Sequence, residues 1–195
     1  MQPESQPPPE SASPGSGAPV PAKIEKPQSK ITRLLAYRRF WICATVALIA
    51  DQWSKSWIID RLPFNSYPPR GGIEIFPNFF YLVHVGNTGA AWSMFSGQST
   101  VLGIIALLTL GAIFLWRRAL GLRAPWPQFC FGLLCGGTVG NLIDRFRHNH
   151  VTDFLDFHFG NYIYPTFNVA DAAIFIGVFG YLAWSFRQPA SPDAS

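Results

Sequence analysis

Four apolar runs dominate the chain and constrain what it can fold into. They lie near residues 40–59, 97–116, 126–144 and 167–186. Each is close to the roughly 20 residues that a helix needs to cross the hydrocarbon core of a bilayer. The second run carries no charged side chain at all. The pattern predicts an all-α integral membrane protein with four transmembrane helices.

Composition agrees with a membrane protein and sets the N-terminus apart. Hydrophobic residues make up 49% of the chain and charged residues 13%, whereas about a quarter of a soluble domain is charged. Residues 1–30 hold eight of the 17 prolines and almost no large apolar side chain, so we predict a disordered tail. We do not expect it to be a secretory signal peptide, because the first apolar run begins only at Phe40. We therefore expect a membrane domain over 31–188 and a short C-terminal tail over 189–195.

The Lys and Arg residues beside the apolar runs predict the orientation in the membrane. Ten lie on the side that holds both termini: Lys23, Lys26, Lys30, Arg33, Arg38, Arg39, Arg117, Arg118, Arg123 and Arg187. Four lie on the opposite side: Arg61, Arg70, Arg145 and Arg147. Because cytoplasmic flanks carry the excess of Lys and Arg, we expect both termini in the cytoplasm. The connections 60–96 and 145–166 then face outward.

The first outer connection has strand character. Apolar side chains alternate there at Phe79, Tyr81, Val83 and Val85, which is the period of a strand. Ile73 and Ile75 suggest a partner strand. We predict a small extracytoplasmic β-sheet and a short surface helix over 90–95, and we predict a loop over 145–166.

The polar side chains at the helix ends gather on the outer side, and each has a purely structural explanation. Asp51 and Lys55 are spaced for an intrahelical ion pair. Asn168 and Asp171 fit a capping box at the start of the fourth helix. Asp153 and Asp156 fit a solvated loop.

Asn141 and Arg145 also share one helix face. Arg145 fits an interfacial anchor whose long stem reaches toward water. The neighbouring glycines in "GGTVGN" indicate a close helix contact there instead.

Taken together, the carboxylates also suit a chemical role. Two carboxylates held close together do not both ionise easily, so one keeps a proton. The ionised carboxylate can take a proton from water while the protonated one polarises a carbonyl. Such a pair hydrolyses amides without a Ser or Cys nucleophile. No Ser-His or Cys-His arrangement competes for the role.

Two alternatives use the same residues. "HNHVTDFLDFH" mixes plausible metal ligands, namely His148, His150, Asp153, Asp156 and His158. It lacks an HExxH motif, and no helical register puts three of them on one face, so we predict no metal site. A proton-relaying transporter is the second alternative. The charges confined to one side and the lack of inverted repeats weigh against a transporter. A further alternative, a membrane scaffold, leaves the motifs below unexplained.

Five motifs then resemble those of lipoprotein signal peptidase, also called signal peptidase II, in the family's order. They are "DQWSK" from Asp51, "NTGAAW" from Asn87, "GGTVGNLIDR" from Gly136, "VTDF" from Val151 and "FNVADAAI" from Phe167. Trp92 stands where the family usually has Phe. The resemblance covers residues 40–186 and does not reach the tail.

The resemblance implies a bacterial membrane aspartic endopeptidase that removes the signal peptide from prolipoproteins, cutting just before the diacylglyceryl-modified cysteine. It assigns catalysis to Asp153 and Asp171. Supporting or substrate-binding roles fall on Asp51, Lys55, Asn87, Gly89, Asn141, Asp144, Arg145 and Asn168, with Asp144 structural. It also implies a multi-pass protein of the bacterial inner membrane whose active site lies near the extracytoplasmic face. Membrane lipid is an expected partner, nucleic acid is not, no cofactor is needed, and a monomer is favoured. Asp156 is left as a loop residue.

Overall fold

A computed structural model describes residues 35–69, 71–90 and 94–188. The predicted tail at 1–30, the residues 189–195 and Trp92 lie outside these ranges. The described elements are α1 (Arg38–Arg61), β1 (Ile73–Phe76), β2 (Phe80–Asn87), α2 (Ser99–Trp116), α3 (Pro125–His148), β3 (Val151–Phe159), β4 (Tyr162–Ile163) and α4 (Val169–Ser185). The four predicted helices and the predicted small sheet are therefore confirmed.

Helix α3 forms the centre of the bundle, and its glycines allow close packing on two sides. A Cβ atom at Gly136 would overlap the Ala44 carbonyl of α1. A Cβ atom at Gly137 would meet the Ala170 carbonyl of α4. Because small residues let helix backbones approach closely, the prediction of a close helix contact at the "GGTVGN" stretch is confirmed.

The outer surface of the bundle is apolar. On α1 the buried residues recur at the helical period, at Ala47, Asp51, Lys55 and Ile58. The exposed side of α1 instead presents Trp41, Ile42, Val46, Ile49 and Trp53, all more than half exposed. A soluble monomer rarely shows a contiguous apolar surface of this kind, so the arrangement suits a lipid environment.

Length and hydropathy alone identify fewer membrane spans than the sequence predicted. Of the helices in the described ranges, α2 is the one that is long and apolar enough, with a mean hydropathy of 2.2 over 18 residues. Helix α4 is apolar but shorter, and α1 and α3 carry charged side chains. Four helices are thus present, whereas four membrane crossings stay a prediction.

The sheet contains more than the predicted hairpin. Its strands are antiparallel in the order β1-β2-β3-β4. The partner strand predicted at Ile73 and Ile75 is β1, in which Ile73 lies opposite Leu82 of β2. The prediction of a loop over 145–166 is wrong, because residues up to His148 continue α3 and Val151–Phe159 form β3. Strand β3 is buried on both faces for most of its length, so its side chains do not alternate between apolar and polar. Of the predicted surface helix at 90–95, residues 91–93 lie outside the described ranges and the residues from 94 onward form turns.

Strand β3 is also joined to the segment that precedes α4. The Leu155 and Phe167 backbones exchange two hydrogen bonds, with N···O distances of 2.8 and 3.2 Å. Beneath the sheet, Ile58 of α1 and Leu62, the residue just after α1, pack with Phe154 of β3 in one apolar cluster. The sheet and the first turn of α4 are thereby held over the same end of the bundle.

Candidate active site

The base of the site is a buried ion-pair network around Lys55. Its Nζ lies 2.9 Å from Asp51 Oδ2, as the i,i+4 spacing predicted, and 2.9 Å from Asp144 Oδ2 on α3. The ammonium also donates to Asn141 Oδ1 at 2.9 Å. Lys55 is only 2% exposed. A buried ammonium needs this degree of pairing, because an unpaired buried charge is strongly destabilising.

The two carboxylates of this network tie it to the neighbouring elements. Asp51 Oδ1 accepts the backbone N–H of Ala170 in the first turn of α4 at 2.9 Å. Asp144 Oδ2 accepts the Thr152 N–H of β3 at 3.1 Å. The network therefore fixes both the strand and the helix that carry the candidate catalytic residues.

Gln52 is a member of the network that the sequence reasoning missed. Its Nε2 lies 3.1 Å from Asp51 Oδ2 and 3.1 Å from Asp144 Oδ1, and 3.3 Å from the Gly140 carbonyl oxygen. No local pattern marks a glutamine for this role, since two of its three partners lie on another helix.

The capping box predicted at the start of α4 is confirmed. Asn168 is the N-cap, and its side-chain oxygen accepts the Asp171 N–H at 2.9 Å. In return Asp171 Oδ2 accepts the Asn168 N–H at 3.3 Å. The other oxygen of Asp171 accepts a hydrogen bond of 2.7 Å from Asn141 Nδ2. Asp171 is thus a capping residue that also contacts a side chain of α3.

Asp153 lies on β3 between two amide donors. Asn168 Nδ2 donates to its Oδ1 at 2.7 Å, and Asn87 Nδ2 donates to its Oδ2 at 2.9 Å. Asn168 therefore contacts both candidate aspartates, with its amide group on Asp153 and its oxygen and backbone on Asp171. The fully buried Asn168 thus contacts the Asp153 carboxylate through its side-chain amide and the Asp171 carboxylate through its backbone N–H.

Burial and the second aspartate perturb Asp153. The side chain is 2% exposed, and burial raises its pKa to about 7. The negative charge of Asp171 adds to the increase, while the hydrogen bonds from Asn87 and Asn168 and the charge of Lys55 oppose it. A carboxylate that titrates near neutral pH is suited to proton transfer.

Arg145 and Gly89 close the site from the side of the first outer connection. Arg145 donates from Nη2 to the Gly89 carbonyl at 3.1 Å, and Asn87 Oδ1 accepts the Gly89 N–H at 2.9 Å. A Cβ atom at Gly89 would lie 2.6 Å from the Met94 carbonyl oxygen, so a side chain does not fit there. Arg145 is half-buried and turned toward the site, which contradicts the interpretation as an interfacial anchor.

An open cavity of about 1240 Å³ connects these residues. Its polar end includes Asp153, Asp171, Asn87, Asn141 and Arg145. Its apolar wall runs along α4 and includes the exposed side chains of Phe175, Ile176 and Phe179. The cavity therefore joins the paired carboxylates to an apolar surface on the outside of the bundle.

Asp156 is not the solvated loop residue that the sequence suggested. It lies on β3, is 1% exposed and also lines the cavity. Its Oδ2 is 2.8 Å from His158 Nε2, and its Oδ1 accepts a 3.3 Å hydrogen bond from Thr166 Oγ1.

The structure also separates the residues that we considered as metal ligands. Asp153 is bound by amides and Asp156 by His158, while the rings of His148 and His150 lie beside each other, 5.8 Å apart, just before β3 begins. Within the described ranges, no three His, Cys, Asp or Glu side chains are grouped as a metal ion would require.

Comparison with known proteins identifies the family. The family model described as signal peptidase (SPase) II matches residues 43–187. The chain belongs to the signal peptidase II family. The predicted family is confirmed, and with it the predicted activity in its broad form, which is a peptidase that removes the signal peptide from prolipoproteins.

Individual relatives agree with this family over most of their length. A lipoprotein signal peptidase of Aeromonas hydrophila is 37% identical over 81% of this chain and 93% of its own. That of Nostoc sp. is 38% identical over 79% of this chain and 93% of its own. That of Thermosynechococcus vestitus is 40% identical over 77% of this chain and 92% of its own.

Solved structures extend the similarity to the fold. Two structures, each described as a bacterial membrane enzyme, are 28% identical in sequence, with TM-scores of 0.70 and 0.65. They cover 80% and 77% of this chain and 92% and 94% of their own. Together with the family, they support an integral membrane protein of the bacterial inner membrane.

Proposed function

We propose that this signal peptidase II is an aspartic endopeptidase in which Asp153 and Asp171 share one proton. The single observation that carries the proposal is the bridging position of Asn168, which hydrogen-bonds to both aspartates inside one cavity. The substrate is a prolipoprotein that already carries diacylglycerol, and the bond cut is the one just before the lipidated cysteine.

The surroundings of the two carboxylates support different roles. Asp153 is buried and its pKa of about 7 favours it as the holder of the shared proton at neutral pH. Asp171 lies in the first turn of α4, where the helix dipole stabilises an anion, and it accepts from Asn141 and Asn168. We therefore assign Asp171 as the ionised base and Asp153 as the acid.

The reaction follows from these roles. Water attacks the carbonyl carbon of the last signal-peptide residue while Asp171 takes one proton from that water. Asp153 gives its proton to the carbonyl oxygen as the new C–O bond forms. The tetrahedral intermediate then collapses and the C–N bond breaks. Asp171 passes its proton to the cysteine nitrogen, and Asp153 regains its own from the intermediate's hydroxyl group, so both carboxyls return to their starting state.

The remaining residues support the pair. Asn87 and Asn168 orient Asp153, and Asn141 orients Asp171. Arg145 and Gly89 hold the chain after Asn87 in place. The network of Asp51, Lys55 and Asp144 lies below and fixes α4 and β3.

The shape of the cavity supports a lipid-anchored substrate. Its apolar wall along α4 is open to the outside of the bundle, which suits a signal peptide and acyl chains arriving from the membrane. We place all four helices across the inner membrane with both termini in the cytoplasm, and the site at the extracytoplasmic boundary. The enzyme acts as a monomer without a cofactor.

Cleavage of a lipidated precursor by the purified protein tests the proposal. The assay compares the wild type, with and without a chelator, with Asp153→Asn and Asp171→Asn. The exposed Asp60→Asn is the matched control. We expect the wild type to cleave before the cysteine with and without the chelator, and Asp60→Asn to do the same. Asp153→Asn and Asp171→Asn should not cleave the precursor. Activity that disappears with the chelator, or that persists in Asp153→Asn, would contradict the aspartic mechanism.

A further inference from the structure

A third carboxylate in the cavity has no part in the proposed reaction. Asp156 is 1% exposed and lies three residues after Asp153 on β3. His158 holds one of its oxygens at 2.8 Å, and the His158 ring packs against Tyr81, with ring centroids 4.8 Å apart. A buried carboxylate is costly unless its oxygens are hydrogen-bonded. Its burial beside the site therefore calls for a use.

The second oxygen of Asp156 points to that use. It accepts from the hydroxyl of Thr166 at 3.3 Å, and Thr166 lies two residues before Asn168. Between them, Phe167 is bound to the Leu155 backbone. The side-chain bond and the backbone bridge thus hold the segment 166–168 against β3 at two adjacent points.

This segment determines how the two catalytic aspartates face each other. Asn168 ends it, and the same residue binds Asp153 and caps the turn that contains Asp171. Asp153 lies on β3, whereas Asp171 lies on α4. The junction between strand and helix therefore sets the distance between the two carboxylates.

We infer that Asp156 is a positioning residue, which acts through Thr166 to hold Asn168 against β3. It thereby keeps the carboxylates of Asp153 and Asp171 at the distance that the reaction needs. The inference rests on the proposed aspartate pair. It predicts that loosening the Thr166 contact slows the chemical step without weakening substrate binding.

Two substitutions at Thr166 test the inference. Thr166→Val keeps the shape but removes the hydroxyl that donates to Asp156, whereas Thr166→Ser keeps the hydroxyl. A misplacement of 1 Å at a catalytic group costs about 10²-fold in rate, and a loosened contact costs less. We expect Thr166→Val to lower kcat by about 10-fold with KM for the lipidated precursor unchanged. Thr166→Ser should recover most of the loss.

A double-mutant cycle tests whether Thr166 acts through Asp156. Residues that work as one unit are not additive, so Thr166→Val should cause little further loss in an Asp156→Ala background. Thermal unfolding shows whether each variant is folded. If Asp156→Ala does not fold, the Val and Ser variants at Thr166 decide the question alone.

Three results would overturn the inference. They are a wild-type kcat for Thr166→Val, a rise in KM in place of a fall in kcat, and additive losses in the double variant. The rise in KM would mean that the Thr166 hydroxyl binds substrate directly. Failure of the underlying proposal gives a different result, because Asp153→Asn would then stay active. An inactive Asp153→Asn together with a fully active Thr166→Val refutes the positioning role alone.

Discussion

Asp171 has two roles that a single substitution can separate, because it is both the N3 residue of a capping box and a proposed catalytic base. Asp171→Asn keeps the size of the side chain and one acceptor oxygen. In the wild type, the Asn168 N–H and the Asn141 side-chain amide donate to the two carboxylate oxygens of Asp171. In the variant, the new NH₂ group replaces one of these oxygens and faces one of the two donors. Asn141 cannot easily turn its amide around, because its own oxygen accepts from Lys55. The variant therefore loses about one hydrogen bond.

The magnitudes of the two effects differ widely. Loss of a cap interaction costs about 0.5–2 kcal/mol, and each kcal/mol lowers Tm by about 2–4 °C in a protein of this size. We therefore expect Tm to fall by only a few degrees. Loss of general acid–base action costs about 10²–10⁴ in rate, which corresponds to about 3–5 kcal/mol in the barrier. A folded protein that cleaves at least about 10²-fold more slowly is the expected result.

The assay is the rate of cleavage of a lipidated precursor, with Tm measured on the same preparation. Asp153→Asn should behave in the same way, and the double variant should be little worse than either single variant, since members of one catalytic unit are not additive. The exposed Asp60→Asn controls for loss of one negative charge. Near-normal cleavage by a folded Asp171→Asn would refute the catalytic role and leave capping as the function of this residue.

Three further predictions follow from the site. Asn87→Ala removes a donor to Asp153. A hydrogen bond to a neutral group contributes about 0.5–1.5 kcal/mol, so cleavage should slow by up to about 10-fold while Tm falls by only a few degrees; a wild-type rate would make Asn87 a turn former only. Lys55→Met leaves buried Asp51 without its cation and should destabilise the protein by about 3–5 kcal/mol, seen as a large fall in Tm; an unchanged Tm would contradict the paired network. Because folding raises the pKa of Asp153 to about 7, its protonated form stabilises the fold below about pH 4, and that stabilisation is lost as the pH rises toward 7. The wild-type Tm should therefore fall relative to that of Asp153→Asn over this range, and parallel curves would contradict the raised pKa.

Local patterns in the sequence determined a large part of the fold. The apolar runs specified the four helices to within a few residues, and alternation specified the hairpin of β1 and β2. The Asp51–Lys55 ion pair and the Asn168–Asp171 capping box also followed from spacing alone. These features depend on neighbours within about one helical turn or one strand period, so a single sequence contains the information that specifies them.

Contacts between distant segments were decided only by the tertiary structure. Strand β3 carries two buried aspartates. In the sequence they are typical of a solvated loop, and their burial depends on pairing with β2 and with the segment before α4. Lys55 reaches Asp144 on another helix, and Asp156 is buried by His158 and Thr166. The resemblance to the family's motifs implied that Asp153 and Asp171 form a pair, but not that Asn168 contacts both of them. That arrangement depends on how β3 and α4 pack over the bundle, and no spacing along the chain specifies the distance between groups held on separate elements.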